Sequence, residues 1–119
     1  MQIKRLAFVA FPVSDLKQAR AFYSQKLGAT ILVESGEAID FDMGGTRIRT
    51  YLHKGEYHRQ HSGLQFSVDD VEGAFTELTL AGVRPRSDVR TEPWGGKVFT
   101  LADPDGNLFD LLEASYLGQ

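Results

Sequence analysis

The chain contains no cysteine, and that absence excludes a disulfide framework, a thiolate zinc site and a cysteine nucleophile together. A basic surplus is missing too. Lysine and arginine number 13 against 16 aspartates and glutamates, a formal charge of −3, and no Lys/Arg run occurs. The electrostatic footprint that phosphate backbones require is therefore absent, and nucleic acid is not an expected partner. Long apolar runs are equally scarce. The stretch Leu6 to Val13 falls far short of the ~20 residues of a membrane helix, so no membrane partner is expected. No charged-then-apolar leader is visible, and a cytoplasmic location is the expectation. No Gly-rich phosphate loop occurs, since Gly44-Gly45 and Gly95-Gly96 read as turns. Ser14, Ser62 and Ser67 have no elbow motif and no identifiable base.

What is present is an ordinary globular composition, 42% hydrophobic and 24% charged over 119 residues, enough to bury one core. The most informative feature is an internal echo. Val9-Ala-Phe-Pro-Val-Ser-Asp-Leu16 is repeated as Leu64-Gln-Phe-Ser-Val-Asp-Asp-Val71 at an offset of 55. Ala19 matches Ala74 at the same offset, and Leu27-Gly28 matches Ala81-Gly82 after a one-residue deletion. Each copy opens with a β-branched and aromatic run that ends in a capping aspartate, at Asp15-Leu-Lys-Gln18 and at Asp69-Asp-Val-Glu72. The first helix carries Leu16, Ala19, Phe22, Tyr23 and Leu27 on one face and stops at Gly28; Val71, Ala74, Phe75, Leu78 and Leu80 to Gly82 repeat the scheme in the second.

Strands are then expected at Thr30 to Val33, Ala38 to Met43 and Thr46 to Leu52, so the first module is βαβββ. The second repeats this order with a short strand within Val83 to Arg90, a better one at Gly96 to Ala102 and a last one at Leu108 to Ala114. Between those last two, Asp103-Pro-Asp-Gly-Asn107 has turn chemistry at every position. The Gly44-Gly45 hairpin sets a register in which paired residue numbers sum to 89, placing Asp42 across from Arg47 and Asp40 across from Arg49. One hairpin face is then apolar, and the other carries Asp40, Asp42, Arg47, Arg49 and Tyr51. Residues 53–62 form the linker. The expected fold class is α+β, a single domain over 1–119 built of modules at 1–55 and 62–115.

This duplicated grammar, with Val13-Ser-Asp-Leu16 leading to Ala21-Phe-Tyr23 and a closing Asp103-Pro-Asp-Gly-Asn-Leu108, resembles the glyoxalase, bleomycin-resistance and extradiol-dioxygenase superfamily, also called vicinal oxygen chelate. The resemblance implies two tandem βαβββ modules wrapping eight strands into an incomplete barrel. It also implies a ligand in the central cup and pairing into a homodimer. Metal-dependent members take their ligands from four cup positions, which map here to Phe8, Arg49, Gly63 and Asp110. Asp110 alone can bind a metal, whereas an open catalytic site needs at least three protein donors, so no metal cofactor is expected. His53, His58 and His61 match no helical zinc spacing and read as solvated linker histidines. His61 shares a strand face with Gly63 if the strand extends that far, so a displaced divalent-metal site of His61 and Asp110 is the alternative.

The mapped cup offers Phe8, Arg49, Tyr51, Gln65 and Asp110, with Trp94 on a loop able to close over them, a vocabulary of aromatic surface plus a few orienting polar groups. Each of these has a structural alternative: Arg49 pairs with Asp40, Phe8 and Tyr51 fill the barrel, and Trp94 packs on a neighbouring loop. Asp110 stands apart, because a carboxylate between Phe109 and Leu111 needs a partner, a ligand or a wet cavity. It is the candidate catalytic residue, as a general base with Arg49 on an oxyanion, should the chain be a metal-independent lyase or isomerase. Three functions follow: metal-free binding of a small, flat, partly aromatic molecule; a metal-dependent lyase or dioxygenase of glyoxalase type; or that metal-independent lyase or isomerase.

Overall fold

The computed structural model describes residues 1–56 and 61–113. His58, the terminal Ala114 of the expected last strand and the end of the second expected module lie outside them. The chain divides into two compact units, Met1–Tyr57 and His58–Gln119.

In the first unit, β1 (Val9–Val13) is followed by α1 (Leu16–Arg20), a π-helical continuation (Ala21–Lys26), and then β2 (Thr30–Glu34), β3 (Ala38–Met43) and β4 (Thr46–Leu52). The sheet order is β1-β4-β3-β2, with β1 parallel to β4 and the other pairs antiparallel. Asp15 caps α1 as expected, its Oδ1 accepting from the Gln18 N–H. The π turns are a difference from the expected α-helix. They bury the consecutive Phe22 and Tyr23, and Tyr23, 0% exposed, meets Phe22, Phe41 and Phe11. Ala19 joins them, while Leu16 and Leu27 are half-buried. Ile39, Phe41 and Ile48 complete the core beneath this helix.

The β3–β4 register is the expected one, from Met43 opposite Thr46 to Ala38 opposite Tyr51. Of the two charge pairs expected on its polar face, Asp40 with Arg49 forms and Asp42 with Arg47 does not. Arg47 reaches diagonally to Asp40, while Asp42 Oδ1 accepts the Gly45 N–H in the turn.

The second unit has the same order: β5 (His61–Ser67), α2 (Val71–Leu80), β6 (Arg90–Thr91), β7 (Lys97–Ala102) and β8 (Leu108–Glu113), arranged β5-β8-β7-β6. Three boundaries move. β5 begins at His61, inside the expected linker, and the short strand after α2 lies at its very end, Arg90–Thr91, paired to β7. The cap of α2 is Asp70, accepting from the Gly73 N–H at 3.0 Å, rather than Asp69. The shift has a tertiary cause: Glu113 at the end of β8 accepts the Val71 N–H at 2.9 Å, fixing fully buried Val71 as the first helical residue. Phe75 packs edge-on against Phe99, so α2 covers the sheet face bearing Phe99, Leu101 and Phe109. By alternation, Gln65, Thr100, Asp110 and Leu112 occupy the opposite face.

Candidate functional site

In the first unit, the sheet face turned away from the helix carries Phe8, Arg49 and Tyr51 together. Phe8 lies just before β1, and the Arg49 guanidinium sits 4.0 Å above its ring centroid, within cation–π range. Arg49 also forks onto Asp40, with Nε to Oδ1 at 2.7 Å and Nη2 to Oδ2 at 2.9 Å. Arg47 Nε donates to the same Oδ2 at 2.7 Å. Asp40 is 3% exposed, so one nearly buried carboxylate holds two half-exposed arginines in place. The Arg49 hydrogen bond, against the opposing effect of burial and with help from Arg47, holds the Asp40 carboxyl below its ordinary value of 3.8.

A lowered folded-state value means that this stabilisation is fully present above about pH 3.8 and is lost as pH falls through the folded value. Asp40→Asn is expected to lower stability at pH 7 and to flatten the loss on acidification below about pH 4. Urea midpoints measured from pH 7 to pH 2 check this. Parallel wild-type and variant curves would rule it out.

The second unit assembles its polar groups around Asp110, which is 5% exposed in an otherwise apolar strand. Asp110 Oδ1 accepts from Thr100 Oγ1 at 2.7 Å and pairs with His61 Nε2 at 2.9 Å. The Gly63 N–H donates to His61 Nδ1 at 2.8 Å, so Nδ1 is the acceptor nitrogen and Nε2 carries the hydrogen directed at Asp110. This geometry depends on an interruption of the β5–β8 ladder. His61 pairs with Leu108 and Gln65 with Asp110, so four steps on β5 match two on β8, and Gly63 absorbs the excess at φ +81°. Gln65 lies directly across from Asp110 and is exposed.

Trp94 stands on the loop before β7, 46% exposed, with its indole over Gly96 beside Leu112. A Cβ at Gly96 would collide with the indole, so the missing side chain makes the ring's seat. Leu112 shares the Asp110 face, so Trp94 borders that face.

Of the six expected ligand contacts, Phe8, Arg49 and Tyr51 thus share one sheet face in the first unit, and Gln65, Trp94 and Asp110 gather about one face in the second. Thr100 and Arg90 were not anticipated. Arg90 Nη2 lies 4.0 Å from Asp110 Oδ2, while its Nε donates to Glu92 and its Nη1 to Ser87 Oγ. Thr100 was legible in principle, because the Asp103–Asn107 turn sets it opposite Asp110; Arg90 sits in a segment without periodic pattern.

The profile of the Glyoxalase/Bleomycin resistance protein/Dioxygenase superfamily matches residues 5–111. The chain belongs to that superfamily. Metallothiol transferase FosB from Lysinibacillus sphaericus is 25% identical over 116 residues, covering 92% of this chain and 82% of that protein. The uncharacterized protein YwkD from Bacillus subtilis is 29% identical, covering 95% and 99%. Among solved structures, the fosfomycin resistance protein FosX from Listeria monocytogenes aligns with a TM-score of 0.82 at 21% identity, over 95% of each chain. Lactoylglutathione lyase from Agrobacterium tumefaciens aligns with a TM-score of 0.81 at 19% identity, over the full length of both. Membership in this superfamily and its tandem α+β fold agree with the sequence reading. Among the described residues, no helix is long and apolar enough to cross a membrane.

The metal that many superfamily members carry does not suit the donors described here. His61 has both ring nitrogens committed, one to the Gly63 amide and one to Asp110, which removes it as a ligand in this arrangement. Among the described residues, no three His, Asp or Glu side chains gather as a metal-binding group.

Proposed function

We propose that this protein binds a small, partly aromatic molecule without a metal ion, with Trp94 supplying ring contact and Gln65 and Asp110 orienting polar groups on the second unit's sheet face; Phe8, Tyr51 and Arg49 offer the same kinds of contact on the first unit's own face. Asp110 carries the reading. It is a nearly buried carboxylate on the sheet face away from the helix whose Oδ1 is held by His61 and Thr100, while its Oδ2 accepts no hydrogen bond among the described residues. Exposed aromatic surface on that same face at Trp94 supports it. Fosfomycin resistance in FosX and the transferase activity in the FosB name make antibiotic sequestration or resistance a fitting biological setting. The FosB name also favours a second reading, a metal-dependent transferase or lyase, and the committed nitrogens of His61 weigh against it.

Pairing into a homodimer and a cytoplasmic location belong to the same proposal. Elemental analysis combined with native mass spectrometry, on protein purified without chelator or affinity tag, tests metal content and assembly. The expected result is a dimer without stoichiometric metal, whose Trp94 emission is quenched by aromatic compounds. About one transition ion per chain would move the reading to a metalloenzyme.

A further inference from the structure

The two oxygens of Asp110 are treated unequally. Oδ1 receives both His61 and Thr100, whereas Oδ2 accepts no hydrogen bond among the described residues and faces Arg90 Nη2 at 4.0 Å. That separation exceeds the ~2.7–3.2 Å of a direct hydrogen bond. Asp110 is held through Oδ1, and Arg90 is tethered by Glu92 at 2.7 Å and by Ser87 at 3.0 Å. Arg90 and Asp110 are thus a loose ion pair at 4.0 Å, and one heavy atom placed beside the line that joins them, about 2.8 Å from each, would bridge acceptor and donor.

We propose that this gap is the polar end of the ligand site, and that it selects a neutral hydroxyl, which donates to Asp110 Oδ2 and accepts from Arg90 Nη2. The inference rests on the binding function proposed above and names the chemical class of its ligand. A carboxylate entering the gap would gain Arg90 but oppose Asp110. An ammonium would do the reverse. An ether could accept from Arg90 but would leave Oδ2 desolvated without a donor, and a site built to bond a hydroxyl discriminates strongly against analogues that lack it. Trp94 at the border of the same face seats the ring that carries this group, so a phenol-like compound is the class implied. Arg90 becomes a specificity-determining residue.

The experiment titrates wild-type protein with phenol, anisole, benzoate and benzylammonium, following Trp94 emission and ligand-observed NMR. Phenol is expected to bind at least about tenfold more tightly than each of the other three. Asp110→Asn keeps an oxygen for His61 and Thr100 but places an NH2 donor opposite Arg90, so its preference should move from phenol to benzoate. Arg90→Met leaves the carboxylate alone and should move the preference to benzylammonium. Opposite switches from two substitutions are not what unfolding produces.

Equal affinity for phenol and anisole, a wild-type preference for benzoate, or an unchanged order in both variants would overturn the assignment. If all four probes bind without discrimination, aromatic binding survives and only the hydroxyl gap falls. If none binds, both readings fall together.

Discussion

Replacing Tyr23 by alanine is expected to destabilise the protein by about 3–5 kcal/mol, the range for removing a buried aromatic ring. The ring is fully buried and makes an edge contact with Phe22 at 5.0 Å and tilted or stacked contacts with Phe41 at 5.3 Å and Phe11 at 6.4 Å. Its removal therefore opens a cavity between the helix and strands β1 and β3 that neighbouring rings cannot close without leaving their rotamers. At roughly 3–5 °C per kcal/mol for a domain of this size, the melting temperature should fall by about 10–20 °C. Tyr23→Phe keeps every ring contact and loses only the hydroxyl, for about 1 kcal/mol. Calorimetry and urea unfolding of both variants measure the difference. A Tyr23→Ala cost under about 1 kcal/mol would mean that the π-helical segment does not seat the ring as described.

The second large effect is expected at Asp103. Its Oδ1 accepts the N–H groups of Asp105 at 3.0 Å and Asn107 at 2.9 Å, and its Oδ2 accepts Asn107 Nδ2 at 2.7 Å. Asp103 and Asn107 are both buried, so Asp103→Ala removes acceptors from donors that water reaches poorly. A cost of roughly 2–4 kcal/mol follows, at ~1–3 kcal/mol for each unmet buried donor with partial recovery.

The consequence extends beyond stability, because this turn sets Ala102 opposite Leu108 and hence Thr100 opposite Asp110. Amide exchange at Thr100 and Asp110 should accelerate along with the global loss. Asp103→Asn retains one acceptor oxygen and should cost about half as much. Equal costs for the two variants would show that charge, rather than acceptor count, holds the turn.

Both predictions concern features that differ in how visible they are in the chain. The Asp103–Asn107 turn is written in residue types whose local chemistry forces it. The same is true of the Asp15 cap and of the Gly44-Gly45 hairpin, whose register follows from turn length alone. The tandem module order was legible because an apolar period and a capping residue recur at a fixed offset. The candidate site was legible only in outline, as residues that share a sheet face. Asp110 stood out as a charge in an apolar strand, and Arg49 and Tyr51 followed from the hairpin register.

By itself, then, the sequence determined the element order, the hairpin register and which residues share a sheet face, since these depend on spacings of a few residues and on backbone preferences local to them. Tertiary structure alone decided the rest. Asp70 caps α2 because Glu113, 42 positions away, claims the Val71 amide. Arg47 joins Arg49 on the nearly buried Asp40 rather than pairing with Asp42, whose Oδ1 accepts an amide of the turn. His61 turns to Asp110 because a ladder irregularity at Gly63 swings it there, 49 positions from its partner. In each case a polar group had several chemically equivalent partners, and only the three-dimensional competition for donors and acceptors could select one.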